Sequence, residues 1–230
     1  MSYVIAQPLQ ASAPVRGTNL RFPVRRIYCV GRNYNDHVAE MGGVPGREPP
    51  FFFQKPADAL LLDGEFPYPP QSANVHHEVE LVVALQSGGR NIGIGQASEH
   101  IYGYAVGIDM TRRDLQADAK KLGRPWEVAK SFDHSAPMSV IIPRAESGIL
   151  ARAAISLSVN DVLKQQSDIA EMIWSVPEII AELSKSFELH AGDIIFTGTP
   201  SGVGPVKPGD RLHASIAGVG ELNLRVCKLS

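Results

Sequence analysis

The sequence is dominated by short apolar strand patterns that end at glycine, proline or Asn-Asp turns, and this feature most constrains the fold. The predicted strands cover residues 26–30, 51–53, 78–85, 102–108, 155–159, 163–165, 194–197, 211–216 and 221–226. The predicted helices cover residues 36–41, 114–122 and 176–187. Because the strands do not alternate regularly with long helices, we do not expect a Rossmann fold or an α/β barrel. The sequence predicts one α+β domain, largely β, over residues 25–230, preceded by a loosely held arm over residues 1–24.

Charge and cysteine content limit the partners and the compartment. Lys and Arg total 22, Asp and Glu total 24, and no basic stripe is present, so neither nucleic acid nor membrane is expected as a partner. Cys29 and Cys227 are too few for a disulfide framework, which favours a reducing compartment. The sequence has no apolar run long enough to cross a bilayer, and its start lacks the pattern of a secretory signal. A cytoplasmic protein is therefore predicted.

Two short acidic motifs predict a metal site. Glu78 and Glu80 lie in an apolar strand pattern, and a strand places alternate side chains on the same face. Two carboxylates on one face, with apolar residues behind them, either protonate or bind a cation. Asp109 ends another apolar strand and can bring a third carboxylate to the same point. Three carboxylates suit a hard divalent cation, Mg²⁺, Mn²⁺ or Ca²⁺, whereas the alternative is an edge strand whose glutamates face water.

A helix pattern after the first predicted strand indicates a general base. His37 and Glu40 are three residues apart and share a helix face, where a carboxylate orients the imidazole and raises its basicity. Gly31 before this helix, and Gly42 and Gly43 after it, are the residues that a mobile lid requires. The alternative is an ordinary surface helix with a chance His–Glu pair.

Further polar side chains near the predicted metal site suit an anionic substrate. Arg113 and Gln116 begin the helix after the second acidic motif, and Lys130 lies among apolar residues. A guanidinium can bind a carboxylate through paired hydrogen bonds, and a lysine adds a point charge. The alternative is that these side chains are ordinary surface charges. The glycine-rich loop of residues 197–205, which contains Thr199, either binds an anion or a carbonyl oxygen or is a structural turn.

Taken together, these motifs resemble the fumarylacetoacetate hydrolase family. His-His-Glu-Val-Glu-Leu, Asp-Met-Thr-Arg-Arg-Asp, Ala-Lys-Ser-Phe and Thr-Gly-Thr-Pro-Ser-Gly-Val-Gly occur in that family's order, over residues 25–226. The resemblance implies a β-rich mixed sandwich or roll like the family's C-terminal domain, a bound Mg²⁺ or similar ion, and a homodimer. It implies metal ligation by Glu78, Glu80 and Asp109, a catalytic dyad of His37 and Glu40, and substrate contacts by Arg113, Gln116, Lys130 and Thr199.

Two further stretches resemble the short, single-domain members of the family. Residues 31–40 look like those of acylpyruvate hydrolases and bacterial fumarylpyruvate hydrolases, and residues 47–56 look closest to the fumarylpyruvate hydrolases of gentisate degradation. The N-terminal domain and the fourth aspartate ligand of the larger fumarylacetoacetases are not evident in the sequence. Arg112 stands where many relatives have a small residue, so the resemblance leaves open whether Arg112 or Arg113 faces the substrate.

The predicted function is metal-dependent hydrolysis of a carbon–carbon bond in an acylpyruvate, a small anionic keto acid. Water activated by His37 and Glu40 would add to the distal carbonyl. The metal and Lys130 would stabilise the charge of the departing pyruvate enolate, which makes Lys130 a predicted catalytic residue. Fumarylpyruvate is the predicted substrate, with Arg47 as the predicted contact for its distal carboxylate. The alternatives are oxaloacetate decarboxylation, isomerisation or decarboxylation of 2-hydroxymuconate-type acids, and a non-catalytic metal-dependent binding protein.

Overall fold

The computed structural model describes residues 3–228, so residues 1, 2, 229 and 230, at the ends of the predicted arm and domain, lie outside the described residues. The strands, labelled in chain order, are β1 (Ser12–Pro14), β2 (Arg21–Pro23), β3 (Arg26–Gly31), β4 (Phe51–Lys55), β5 (Leu60–Leu61), β6 (Glu65–Pro67), β7 (Val75–His77), β8 (Val79–Leu85), β9 (Ile101–Ile108), β10 (Thr111–Arg112), β11 (Ala136–Pro137), β12 (Ile142–Pro143), β13 (Ala154–Val159), β14 (Val162–Asp168), β15 (Asp193–Phe196), β16 (Gly204–Val206), β17 (Arg211–Ile216) and β18 (Gly220–Cys227). The helices are α1 (Asn35–Glu40), α2 (Ile94–Ala97), α3 (Arg113–Leu122), α4 (Glu127–Lys130), α5 (Arg144–Ser147) and α6 (Val176–Ser186). Short 3₁₀ turns cover Ala57–Ala59, Ser98–His100 and Ile169–Glu171. Each predicted element is present with its ends shifted by a few residues, and the strands that the sequence patterns missed are short.

A six-stranded mixed sheet forms the centre of the fold, in the order β12-β9-β8-β15-β3-β4. The strand β8 lies between β9 and β15, and every one of its residues is buried. Leu81 and Val83 belong to a large apolar cluster on one face of the sheet, and Val82 and Ala84 belong to a second cluster on the other face. A strand covered on both faces needs a continuous apolar run, and β8 has one over residues 81–85. The alternative of a solvated edge strand is therefore wrong.

The large cluster fills the space between this sheet and a five-stranded sheet of order β14-β13-β17-β18-β6. Leu81 and Val106 contribute from the first sheet, and Leu157, Leu212 and Leu224 contribute from the second. Helix α6 adds further apolar side chains to the same cluster. Two sheets packed over one apolar layer, with few helices, make a β-rich α+β sandwich, as the sequence predicted.

The second cluster is covered by a hairpin of β1 and β2 from within the predicted N-terminal arm. Ala13 and Phe22 are buried, and the Ile141 N–H donates to the Pro14 carbonyl oxygen at 3.0 Å. Residues 3–10 are exposed throughout. The prediction of a loosely held arm is thus wrong for the hairpin, because its alternating side chains close one face of the central sheet.

The carboxylates lie where two neighbouring strands leave the six-stranded sheet. Glu78 is the single residue between β7 and β8, and Asp109 follows directly after β9. Beyond these points β7 and β10 pair with each other, and β16 pairs with the other edge of β7. The Asp109 N–H donates to the Glu78 carbonyl oxygen at 2.8 Å, which holds the two breaks side by side. The change of sheet therefore brings carboxylates from separate strands together.

Within residues 3–228, no helix is both long and apolar enough to span a bilayer.

Candidate active site

Glu78, Glu80 and Asp109 form one carboxylate cluster, and all three side chains are buried. One oxygen atom from each lies within 4.8 Å of the oxygen atoms of the other two. Glu80 pairs with Gly107 across β8 and β9, and Asp109 follows two residues later on the same face. The convergence that the sequence predicted is present.

Lys130, in the short helix α4, lies against this cluster. Its Nζ is 2.7 Å from Glu78 Oε2, from Asp109 Oδ2 and from Thr111 Oγ1. Burial alone lowers the pKa of the Lys130 ammonium, but the Asp109 and Glu78 carboxylates outweigh it and raise the pKa above its usual value. Lys130 is therefore a fixed positive charge between two carboxylates.

Lys55, at the end of β4, is a second buried lysine at the site, and the sequence patterns did not single it out. Its Nζ lies 2.8 Å from Asp109 Oδ1 and donates to the carbonyl oxygen of Lys130. A signal was present in the sequence, because Lys55 closes a strand of three phenylalanines and a glutamine. A lysine that ends an aromatic strand has to find a buried partner or reach solvent.

Arg113 is the first residue of α3 and forms an ion pair with Glu78. Its Nη1 donates to Gln116 Oε1 at 2.7 Å, so the two side chains form a pair on the same helix face. Burial by itself raises the pKa of the Glu78 carboxyl, but Lys130 and Arg113 outweigh that effect and hold the pKa well below its usual range. Arg112 instead stacks over the Phe132 ring, 4.4 Å from its centroid. Of the two arginines, Arg113 is the one at the site.

Glu80 differs from the other two carboxylates because no side-chain cation among the described residues contacts it. Its Oε2 accepts a hydrogen bond of 2.7 Å from the Gly198 N–H, and the ion pairs of residues 3–228 do not include it. Burial, Asp109 and Glu78 together raise the pKa of the Glu80 carboxyl well above its usual value. A divalent ion among these all-oxygen ligands would supply the missing positive charge, so the residues fit a hard metal ion.

His37 and Glu40 form the predicted pair on α1. His37 Nδ1 lies 3.2 Å from Glu40 Oε2, and Glu40 Oε1 accepts a hydrogen bond of 3.0 Å from the Gly202 N–H. When Nδ1 donates to Glu40, the basic nitrogen of the imidazole is Nε2. Glu40 therefore orients the ring and also attaches α1 to the loop of residues 197–205.

The turn before α1 is fixed by close packing. A Cβ atom added to Gly31 would overlap the end of the Phe51 ring, so any larger residue here would force that ring to move. Arg32 follows with a φ of 58°. The Asn33 amide donates to the carbonyl oxygen of Thr197 at 2.8 Å and to that of Trp174 at 3.0 Å. The structure thus gives Gly31 a packing role, whereas the sequence suggested a hinge.

The loop of residues 197–205 joins the parts of the site. Its backbone N–H groups reach Glu80 and Glu40, and Thr199 Oγ1 accepts a hydrogen bond of 2.8 Å from Gln165 Nε2. Gln165 is fully buried, and its Oε1 accepts from the Val79 N–H at 3.1 Å. The loop is both a structural turn and part of the site. Gln165, which the sequence patterns missed, connects it to the start of β8.

All of these groups meet in one cleft. The predicted site residues that line it are His37, Glu78, Glu80, Asp109, Arg113, Gln116, Lys130 and Thr199, with Glu40 behind His37. The aromatic rings of Phe51, Phe53 and Trp126 form the outer part. Arg47 does not line the cleft, because its guanidinium pairs with Glu178 and lies 4.3 Å from the Trp174 ring centroid. The prediction that Arg47 contacts a distal carboxylate is not supported by this position.

The family model and the similar proteins with known names or structures all point to the same family. Residues 26–227 match the family described as fumarylacetoacetate (FAA) hydrolase C-terminal. The chain is 50% identical in sequence to fumarylpyruvate hydrolase from Pseudomonas aeruginosa, whose crystal structure in complex with Mn²⁺ and pyruvate matches it with a TM-score of 0.97. This match covers 99% of this chain and 100% of that chain. An oxaloacetate tautomerase of Escherichia coli K12 is 43% identical over 205 residues, covering 88% of this chain and 93% of the relative. A fumarylpyruvate hydrolase of Ralstonia is 43% identical over 180 residues, covering 78% and 93% respectively.

Proposed function

The chain belongs to the fumarylacetoacetate hydrolase family, and we propose that it hydrolyses a carbon–carbon bond of an acylpyruvate, converting fumarylpyruvate to fumarate and pyruvate. The observation that carries this proposal is the meeting of the carboxylate cluster, Lys130 and the His37–Glu40 pair in one cleft. A binding protein needs a cation site and an anion grip, but it does not need an oriented base. The relatives named fumarylpyruvate hydrolase support the choice of substrate.

The proposed metal is Mg²⁺, with Mn²⁺ or Ca²⁺ as alternatives. Glu78, Glu80 and Asp109 would hold it through their carboxylate oxygens. When bound, the ion would polarise the keto oxygen of the substrate and stabilise negative charge on the departing enolate.

Lys130 is proposed to supply a second positive charge to that enolate. Its ammonium already contacts Glu78, Asp109 and Thr111, so it is fixed in place before substrate binds. A charge that needs no reorganisation during the reaction stabilises a transition state most effectively. Arg113, Gln116 and Thr199 line the same cleft and are proposed to position the keto-acid end of the substrate.

His37 is proposed as the general base. Its Nε2 would take a proton from water while Nδ1 stays bonded to Glu40. The water oxygen then bonds to the distal carbonyl carbon, and the bond from that carbon to the methylene carbon of the pyruvate unit breaks. The electron pair leaves with the pyruvate unit as its enolate, and the proton from His37 returns to the methylene carbon. One water molecule is consumed, and the products are fumarate and pyruvate.

Oxaloacetate chemistry is the second candidate, and the relative named oxaloacetate tautomerase favours it. Keto–enol conversion and decarboxylation both pass through an enolate, so they need the positive charge beside the keto oxygen. Neither needs an attacking water molecule. Isomerisation or decarboxylation of 2-hydroxymuconate-type acids uses the same enolate stabilisation and is a further alternative.

Release of pyruvate from an acylpyruvate separates these candidates, because decarboxylation of oxaloacetate also yields pyruvate. The purified protein with Mg²⁺ would be assayed against fumarylpyruvate, maleylpyruvate, acetylpyruvate and oxaloacetate, and the loss of enol absorbance would be followed for oxaloacetate. We expect the highest kcat/KM with fumarylpyruvate. Turnover of oxaloacetate, with no pyruvate released from any acylpyruvate, would overturn the hydrolase proposal in favour of the second candidate.

We also propose that the protein is a cytoplasmic homodimer. Val4, Ile5 and Leu9 expose apolar side chains that a second copy of the chain would cover. Cys29 and Cys227 are free thiols, as expected in a reducing compartment. Light scattering would test the assembly, and a mass equal to one chain at micromolar concentration would contradict the dimer.

A further inference from the structure

Two exposed cations in the outer part of the cleft, Lys120 and Arg32, have no acidic partner within the part of the chain that the structure describes. Both line the cleft, and the ion pairs among residues 3–228 include neither side chain. Burial lowers the pKa of the Lys120 ammonium, and Arg113 and Arg32 lower it further against the opposing effect of Glu78, so positive charge predominates around Lys120. An anion between them would remove this repulsion.

Helix α3 sets how far this charge lies from the carboxylate cluster. Arg113, Gln116 and Lys120 are spaced by three and then four residues, so they share one helix face, and all of them line the cleft. With a rise of 1.5 Å per residue, Lys120 lies about 10 Å along the helix from Arg113. Arg113 pairs with Glu78, so Lys120 marks the far end of the cleft from the cluster.

Aromatic rings connect these two ends. Lys130 Nζ lies 5.2 Å from the Phe53 ring centroid, and the Phe53 and Trp126 centroids are 6.1 Å apart. Lys120 Nζ lies 5.1 Å from the Trp126 centroid, so Lys130 contacts one ring of this wall and Lys120 contacts the other. Phe51 packs against Trp126 with its ring at 87° to it. Flat apolar rings between two positive charges suit a planar, conjugated chain with an anionic group at each end.

We infer that Lys120, assisted by Arg32, binds the carboxylate at the far end of a planar acyl arm that lies on the Phe53–Trp126 wall. This inference rests on the proposed function and names the substrate class as extended dicarboxylic acylpyruvates. Lys120 takes the place of Arg47 as the proposed contact for the distal carboxylate, because Arg47 is paired with Glu178 outside the cleft. Oxaloacetate is too short to reach from the carboxylate cluster across this wall.

The test compares two ligands that cannot be hydrolysed. 2-Oxopimelate has a keto-acid end and a distal carboxylate but no second ketone, and 2-oxoheptanoate has the same chain length without the distal carboxylate. Binding to the Mg²⁺-loaded protein would be measured by calorimetry for the wild type, Lys120→Met, Lys120→Arg and Lys121→Met. Lys121 is the neighbouring exposed lysine, does not line the cleft, and serves as the matched control.

We expect the wild type to bind 2-oxopimelate more tightly than 2-oxoheptanoate by on the order of tenfold, since the charge at Lys120 is partly screened by solvent. Lys120→Met should remove this discrimination, Lys120→Arg should restore much of it, and Lys121→Met should keep it. Discrimination that persists in Lys120→Met, or equal binding of the two ligands by the wild type, including no binding of either, overturns the inference. The subsite stands if discrimination depends on Lys120 but fumarylpyruvate yields no pyruvate, and the hydrolase proposal alone then fails.

Discussion

Lys55 donates a hydrogen bond to the backbone carbonyl oxygen of Lys130, so one buried lysine holds the other in place. Lys55 Nζ also lies 2.8 Å from Asp109 Oδ1, and Lys130 Nζ lies 2.7 Å from Asp109 Oδ2. The Asp109 carboxylate is thus held between two ammonium groups. Lys55 does not line the cleft, so it supports the site from behind.

Replacing Lys55 tests this support. Lys55→Met should lower the free energy of unfolding of the metal-free protein by about 3 kcal/mol, because it removes one partner of a buried ion pair and leaves Asp109 less compensated. Urea denaturation measures this difference. Lys121→Met, which changes an exposed lysine, should stay within about 0.5 kcal/mol of the wild type. Equal effects of the two substitutions would show that the contact contributes little.

Glu80→Gln should abolish Mg²⁺ binding while the protein stays folded. The Gln amide oxygen can still accept from the Gly198 N–H, and removing the charge relieves repulsion from Asp109 and Glu78. We therefore expect the metal-free variant to be at least as stable as the wild type in urea, with no heat of Mg²⁺ binding in calorimetry. Glu78→Gln should instead destabilise the protein. Unchanged Mg²⁺ affinity in Glu80→Gln would remove Glu80 from the proposed ligand set.

His37→Ala separates the base from the metal. Hydrolysis of fumarylpyruvate should fall by about 10²–10⁴-fold, the usual contribution of a positioned acid–base group. Binding of Mg²⁺ and of oxalate, which resembles the pyruvate enolate, should survive, because the contact of His37 is with Glu40 and not with the carboxylate cluster. Any decarboxylation of oxaloacetate should fall less, since it needs no attacking water. Pyruvate release at the wild-type rate would place the base elsewhere.

Gly31→Ala tests the packing before α1. The added Cβ would lie 2.0 Å from the Phe51 ring, so we expect a loss of about 1–3 kcal/mol in the free energy of unfolding and a lower kcat. Gly46→Ala is the matched control, because its added Cβ would meet no atom within 4 Å. Replacing the Phe51 ring by a smaller side chain, in the double variant Gly31→Ala/Phe51→Leu, should recover stability. A neutral Gly31→Ala would show that Phe51 moves aside freely.

The carboxylate cluster and the His–Glu pair could be predicted because both depend on local periodicity. Glu78 and Glu80 are two residues apart at the start of a strand, and His37 and Glu40 are three apart on a helix. These spacings fix which side chains share a face before any tertiary contact forms. The prediction that Asp109 joins the cluster also required two strands to pair, and the apolar strand before Asp109 indicated where that pairing ends.

The supporting residues could not be predicted because their partners are remote in sequence. The Lys55 contact spans 75 residues, and the Arg47 contact with Glu178 spans 131. Gln165 lies on β14, where most neighbours are exposed, so no pattern marks it as buried. The strands β1 and β2 bury one residue each, which is too short an alternation to distinguish a strand from a coil.

Glu40 has two tasks, because one of its carboxylate oxygens bonds to His37 and the other accepts from the Gly202 N–H. Any opening of the cleft that lifts α1 from the loop of residues 197–205 breaks the Gly202 bond and frees Glu40 to turn away from the imidazole. Under the proposed mechanism, water that entered such an open cleft would meet a histidine that is no longer aligned as a base. Glu40 would then couple closure of the cleft to activation of His37, and a keto acid bound in the open cleft would not be attacked until its whole length was enclosed.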